Sequence, residues 1–169
     1  MKKKINIFFG ITITVFLSLI IWLNYLKANS IGDITFDSKI DDPLFTVCNE
    51  ERIFQYYSAG IGYKGGRKVI REKVFEDLVA ENLKLEKKSG YITFRFIVNC
   101  QKETGRFRVK MINENLKETI FKDTEIKKLK KSIKKLKEWQ SGKIENGPKI
   151  DYYYQINFKI ESGKIIDIF

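Results

Sequence analysis

The hydrophobic rhythm of this chain changes period several times along its length. Ile5 to Leu26 is a near-continuous apolar block, interrupted only by small or polar residues such as Thr12, Thr14, Ser18 and Asn24. Its length matches the roughly 20 residues a helix needs to cross a hydrocarbon core. Arg67 to Lys87 then carries Ile70, Val74 and Leu78 at four-residue steps, with Phe75, Val79 and Leu83 widening the stripe; that spacing predicts an amphipathic helix. From Tyr91 to Cys100 the period drops to two. Ile92, Phe94, Phe96, Val98 and Cys100 share one face, and Tyr91, Thr93, Arg95, Ile97 and Asn99 the other. Arg106 to Asn113 alternates again, with Phe107, Val109 and Met111 against Arg106, Arg108 and Lys110. These two runs predict a hairpin with one buried face and one basic, wet face.

A second helix is expected from Asp123 to Trp139, where Ile126, Leu129, Ile133, Leu136 and Trp139 keep helical spacing and lysines coat the rest. After a glycine-bearing turn, Ile150, Tyr152, Tyr154, Ile156, Phe158 and Ile160 form one face of a long strand. Ser162-Gly163 predicts a tight turn that folds Lys164 to Phe169 back as a last short strand. The order helix, strand, strand, helix, strand, strand defines an α+β fold. It is a small antiparallel β-sheet of three to four strands with two helices packed on one face, preceded by one N-terminal transmembrane helix.

The expected organisation is a cytoplasmic basic tip (1–4), a transmembrane signal anchor (5–26), a short tether (27–42), an N-terminal packing segment (43–62) of unassigned type and a folded domain (63–169). Lys2, Lys3 and Lys4 before the apolar block place the N-terminus in the cytoplasm and the remainder outside. A cleaved signal peptide is the alternative, with Ala28 and Ser30 as a weak cleavage pattern, but the block exceeds the usual h-region. The tether spans at most about 55 Å fully extended, which holds the domain near the membrane.

Charge and cysteine content sharpen this picture. The formal net charge is +11 and histidine is absent, so anionic partners are favoured: lipid headgroups, acidic cell-wall polymers or an acidic protein. A domain outside the membrane rarely meets nucleic acid, so none is expected. Cys48 and Cys100 fall in the exported part, where a bridge between them can persist; a buried free thiol at Cys100 is the alternative. The lysine coat of the second helix reads first as a solvated face. Of Tyr152, Tyr153 and Tyr154, two point to the expected core, which leaves Tyr153 as the candidate contact residue.

The punctuation of these elements resembles the TonB C-terminal domain family over roughly Tyr63 to Ile160. Tyr63, Gly65 and Gly66 resemble the aromatic-x-Gly-Gly before its first helix. Gly90 to Val98 resembles its first strand, with a turn at Gly105. Trp139, Gly142 and Gly147 resemble its helix end and turn, and Tyr152 to Ile160 its long third strand. The resemblance implies an interaction module that holds a partner peptide by strand addition, with Tyr152, Tyr153, Tyr154, Gln155, Ile156, Asn157 and Phe158 as the docking edge. It also implies a protein partner such as an outer-membrane receptor or a motor complex, in envelope energy transduction or transport. The Lys164–Phe169 tail is placed to gate that edge.

Catalytic chemistry is not expected. No nucleophile–base pair is recognisable without histidine, Glu50-Glu51 and Asp41-Asp42 lack the setting that tunes acid–base pairs, and two lone cysteines make a zinc site improbable. No cofactor is expected. The expectation is therefore a single-pass, inner-membrane-anchored periplasmic binding module. The alternative is a structural envelope protein whose basic face, Arg95, Arg106, Arg108 and Lys110, binds anionic cell-wall or lipid surfaces.

Overall fold

A computed structural model describes residues 12–23, 34–86, 88–143 and 147–169. The chain divides into two units, Met1–Asp33 and Ile34–Phe169. In the first, residues 12–23 are helical; the basic tip, both ends of the expected membrane segment and the first part of the tether lie outside the described residues. No helix among the described residues is long and apolar enough to cross a membrane.

The second unit is α+β. Its elements run β1 (Ile53–Gln55), α1 (Tyr56–Ala59), α2 (Gly66–Ala80), β2 (Gly90–Val98), β3 (Thr104–Asn113), α3 (Asp123–Lys134), β4 (Gly142–Lys143), β5 (Lys149–Glu161) and β6 (Lys164–Ile168). The main sheet has five strands. Its order is β1-β5-β2-β3, with β6 also on β5, and β4 adds a two-residue ladder at Ile150. The hairpin β2–β3 and the β5–β6 turn at Ser162 and Gly163 form where alternation and turn chemistry predict them. Both turn residues have positive φ, 49° and 79°, as a two-residue type I′ hairpin requires.

Several expectations need correction. The sheet is mixed, because β1 pairs parallel to β5; no periodicity marks this three-residue strand. Both long helices are shorter than their hydrophobic rhythm. Helix α2 ends at Ala80, with Asn82 at φ 47° just beyond. Helix α3 ends at Lys134, since Trp139 is pulled into an antiparallel bridge with Tyr63. The Gly65–Gly66 pair, φ 81° and 71°, supplies the left-handed entry to α2 that any other residue would strain.

The main core lies between the sheet and α2 and α3. Ile92, Phe94, Phe96 and Val98 of β2 and Tyr152, Tyr154, Ile156 and Phe158 of β5 meet Ile70, Val74 and Leu78 of α2 and Leu129 and Ile133 of α3. Trp139 closes one end, edge-on to Tyr63, Phe96 and Tyr154 at centroid distances of 5.0, 5.5 and 4.9 Å. Burying each such ring contributes on the order of 2–3 kcal/mol.

The opposite face of the sheet is also covered. Residues 34–52, here called the strap, cross it before entering β1. Ile34 and Phe45 pack on Ile97 and Tyr153 to form a second, smaller core, with Val47 and Ile53 at its border. Gly105 permits this approach: a Cβ there would stand 2.2 Å from the Phe45 ring. The expected wet face is therefore dry where the strap crosses it, at Ile97, Asn99 and Arg106, while Tyr91, Thr93, Arg95 and Arg108 stay partly exposed.

Candidate interaction surface

The strap is fixed by charge, hydrogen bonds and a covalent link. A disulfide joins Cys48 to Cys100. Beside it sits Asp151, 1% exposed, at the start of β5. One carboxylate oxygen accepts the Cys48 and Asn49 amides at 2.8 Å each, and the other accepts the Cys100 amide at 2.8 Å. The carboxylate thus gathers backbone from the strap and from the end of β2. Cys48, Cys100 and Asp151 are also close enough to suggest a metal triad, but both sulfurs are committed to the bridge.

Asn99, fully buried, works the same junction. Its amide nitrogen donates to the Thr46 carbonyl at 2.9 Å, while its oxygen accepts the Gln101 and Glu103 amides at 3.0 and 2.8 Å and shapes the β2–β3 turn. Asp151 and Asn99 carry no sequence signal beyond a polar residue inside a strand pattern. Neither belonged to the expected site.

The predicted basic face is reassigned. In β3, Arg95 pairs with Arg108 and Ile97 with Gly105, so Arg106 and Phe107 together oppose Phe96 in a β-bulge. Arg106 takes φ 50°. The bulge sends Phe107 onto Phe96, stacked at 4.8 Å, and Arg106 to the strap side, where it is 5% exposed. There it binds the Glu50 carboxylate with both terminal nitrogens, one at 2.7 Å. Arg108 grips Asp41 in the same two-pronged way, 2.8 Å on each side, and donates to the Thr35 carbonyl at 2.6 Å. These hydrogen bonds hold the Asp41 and Glu50 carboxyls below the ordinary carboxylate range, against the opposing effect of burial. Arg95 lies over the Tyr153 ring at 4.6 Å. Of the four residues, Lys110 alone stays exposed. Tyr153, expected as a contact residue, is 3% exposed beneath the strap.

The expected docking strand also changes position. β5 pairs with β2 along Tyr152–Ile160, so one of its edges is fully used. On its other edge β1 takes Asp151–Tyr153 and β6 takes Phe158–Glu161, while Phe169 exchanges two backbone hydrogen bonds with Asn157 at 2.8 and 3.0 Å. Among the described residues only Tyr154, Gln155 and Ile156 lack a strand partner there. Tyr152 is wholly internal: its hydroxyl donates to the Gln140 carbonyl at 2.9 Å, and burial pushes its pKa far up.

The sheet ends instead on β3. Its outer edge is covered at the far end, where Thr119 donates to the Met111 carbonyl at 3.1 Å and Lys117 accepts from Asn113 at 2.8 Å. Strand alternation then turns the Val109 N–H and C=O to the same outer side. No strand of the described residues pairs there between Thr104 and Lys110. Gly90 lies so close to the Ile112 carbonyl that a Cβ would stand 2.1 Å from it, which fixes the other end of the hairpin. Gly142 packs on Ile61 and Ile150, and Gly147 bends the chain into β5.

Comparison of the chain with protein-family models, with curated proteins and with solved structures returns no match.

Proposed function

We propose that this protein is a non-catalytic binding module acting outside the cytoplasm, tethered by its apolar N-terminal segment, that takes an extended segment of a protein partner along the outer edge of β3. The single observation that carries this reading is the open β3 edge at Thr104–Lys110, where backbone donors and acceptors face outward with no strand beside them. Unpaired edge groups are what strand addition completes. The disulfide supports an oxidising compartment, and the Ile5–Leu26 block with its leading lysines supports a membrane tether. The TonB-type resemblance supports the same binding mode and a role in envelope transport.

Val109→Pro tests it. The substitution removes an outward N–H without touching the β2–β3 ladder. Decapeptides selected from a displayed library against the full-length chain should lose at least about tenfold in affinity for this variant. Unchanged affinity would sink strand addition at β3.

A second reading keeps β5 as the docking edge, gated by β6. It is favoured by the uncovered Tyr154–Ile156 run, which would lengthen to Glu161 if the tail left. Deleting residues 162–169 should then raise peptide affinity; on the β3 reading it changes nothing.

A further inference from the structure

The lysines of α3 and its C-cap, Lys135, fall into two groups. On the side facing α2, Lys131 and Lys135 are neutralised: Lys131 meets Glu81 at 2.9 Å, and Lys135 binds both Asp77 and Glu81. On the side facing β3, Lys130 and Lys134 have no carboxylate partner among the described residues. Their ammonium groups stand 5.1 and 5.8 Å from the centre of the Phe107 ring instead. Lys130 is half-buried, and burial, followed by the neighbouring Lys134 charge, lowers its pKa. A charged group held in that setting gains from an incoming anion.

These two lysines border a cleft of about 570 Å³. It lies between the strap loop at Asp42–Phe45, the start of β3 at Thr104–Phe107 and the end of α3, with Lys102 and Lys137 on its rim. Its size falls in the usual range for ligand sites. Of the three carboxylates lining it, one is neutralised by an ion pair and two keep their charge, against Lys102, Lys130, Lys134 and Lys137, so the lining is net positive. Asp41 is held by Arg108, Asp42 accepts the Leu44 amide at 2.9 Å, and Glu103 accepts from Asn99 at 3.2 Å. A second, shallower groove shares Lys102 and Lys137 and continues to Lys149, so the positive rim extends around this end of the sheet. The cleft also has apolar surface: Ile40 and Leu44 in its lining are 56% and 87% exposed.

We propose that this cleft docks an extended acidic peptide, carboxylates on Lys130, Lys134 and Lys102 and an apolar side chain against Ile40 and Leu44, entering alongside the free edge of β3. The proposal rests on the binding-module reading but adds the partner's chemistry. Concavity disfavours a flat bilayer surface, and the apolar lining disfavours a bare phosphate polymer; a peptide alternating acidic and apolar residues satisfies both.

The test uses the full-length chain in neutral detergent and a labelled decapeptide alternating glutamate with leucine and valine, read by fluorescence anisotropy. Counter-probes are the same peptide with glutamine for glutamate, polyphosphate, and phosphatidylglycerol vesicles. The expected result is binding of the acidic peptide, with Lys130→Glu/Lys134→Glu weakening it more than about tenfold, as loss of partly buried charge contacts does. Lys127→Glu/Lys128→Glu, an equal charge change on the exposed flank of the same helix, should move it less than about threefold. Near-UV circular dichroism checks that both variants stay folded. Equal loss in both variants would show diffuse net charge and overturn the proposal. So would binding of polyphosphate or vesicles without binding of the peptide, or undiminished binding of the glutamine version. Backbone N-methylation of the peptide separates the two readings. If it leaves affinity intact while the Lys130/Lys134 effect persists, strand addition fails and the acidic-peptide cleft stands.

Discussion

The two faces of one sheet are stabilised by different physics. The helix-covered face is aromatic and dry, and the ion pairs that join α2 to α3, Lys131 and Lys135 on Asp77 and Glu81, lie outside that core. The strap-covered face has a core of only Ile34, Phe45, Ile97 and Tyr153, too little apolar area to hold a segment that lacks regular structure before β1. There the work passes to a disulfide, two bidentate Arg–carboxylate pairs and a buried carboxylate. The lesson is that a chain segment without helix or strand periodicity can still cover a sheet when fixed polar contacts replace area.

The contrast yields ordered expectations. Phe94→Ala empties a fully buried site against Phe158 and should cost about 3–5 kcal/mol in denaturant unfolding, since a core this packed relaxes little. If it costs under about 1 kcal/mol, the helix-covered core is not the principal one. Breaking the disulfide by Cys48→Ser/Cys100→Ser should cost about 2–4 kcal/mol, because it frees a loop of 52 residues in the unfolded chain. Hydrogen exchange should then rise across residues 34–52 and stay slow in β2 and β5. Uniform acceleration would show that the two faces unfold as one.

Acid should separate the faces further. Asp41 and Glu50 have carboxyls lowered in the folded state by Arg108 and Arg106. A lowered pKa means stability that is fully present above the ordinary carboxylate value, about pH 4, and is lost as pH falls through the folded values. Exchange in the strap should therefore accelerate below about pH 4 before that of the helices. Asp41→Asn should reproduce part of this at neutral pH, at about 1–3 kcal/mol, because Arg108 keeps only part of its pairing. The smallest effect belongs to α3: Lys131→Ala removes an exposed pair with Glu81 and should change stability by less than about 1 kcal/mol.

How much of this was legible depended on the local signal. The β2–β3 hairpin, β5, the Ser162–Gly163 turn and both helix stripes were readable because each buries one periodic face. The helix ends were not, because Trp139 answers to Tyr63, Phe96 and Tyr154 rather than to its own helix. Residues 43–62 read as a packing segment of unassigned type, but the strap's route and its contacts were not legible, for the same kind of reason. Its partners lie far away in sequence, Asp41 on Arg108 and Glu50 on Arg106, and alternating arginines on a strand look the same whether water or a carboxylate faces them. The bulge, which decides that question, puts Arg106 rather than its neighbour Gly105 in the left-handed conformation, so glycine placement does not announce it. β5 was legible as a strand but not as an interior one, since strand order depends on the short β1 and β6 at its side.

Asp151 gives the chain a problem of order. β5 is the last long strand to be synthesised, yet its place is between β1 and β2, and both cysteines precede it in the sequence. A chain that emerges N-terminus first can present Cys48 and Cys100 to an oxidant before the strand that belongs between their neighbours has appeared. The carboxylate that collects the amides of both cysteines arrives with that strand. Closing the bridge early leaves a slot that β5 must enter sideways; closing it late lets Asp151 set the alignment first.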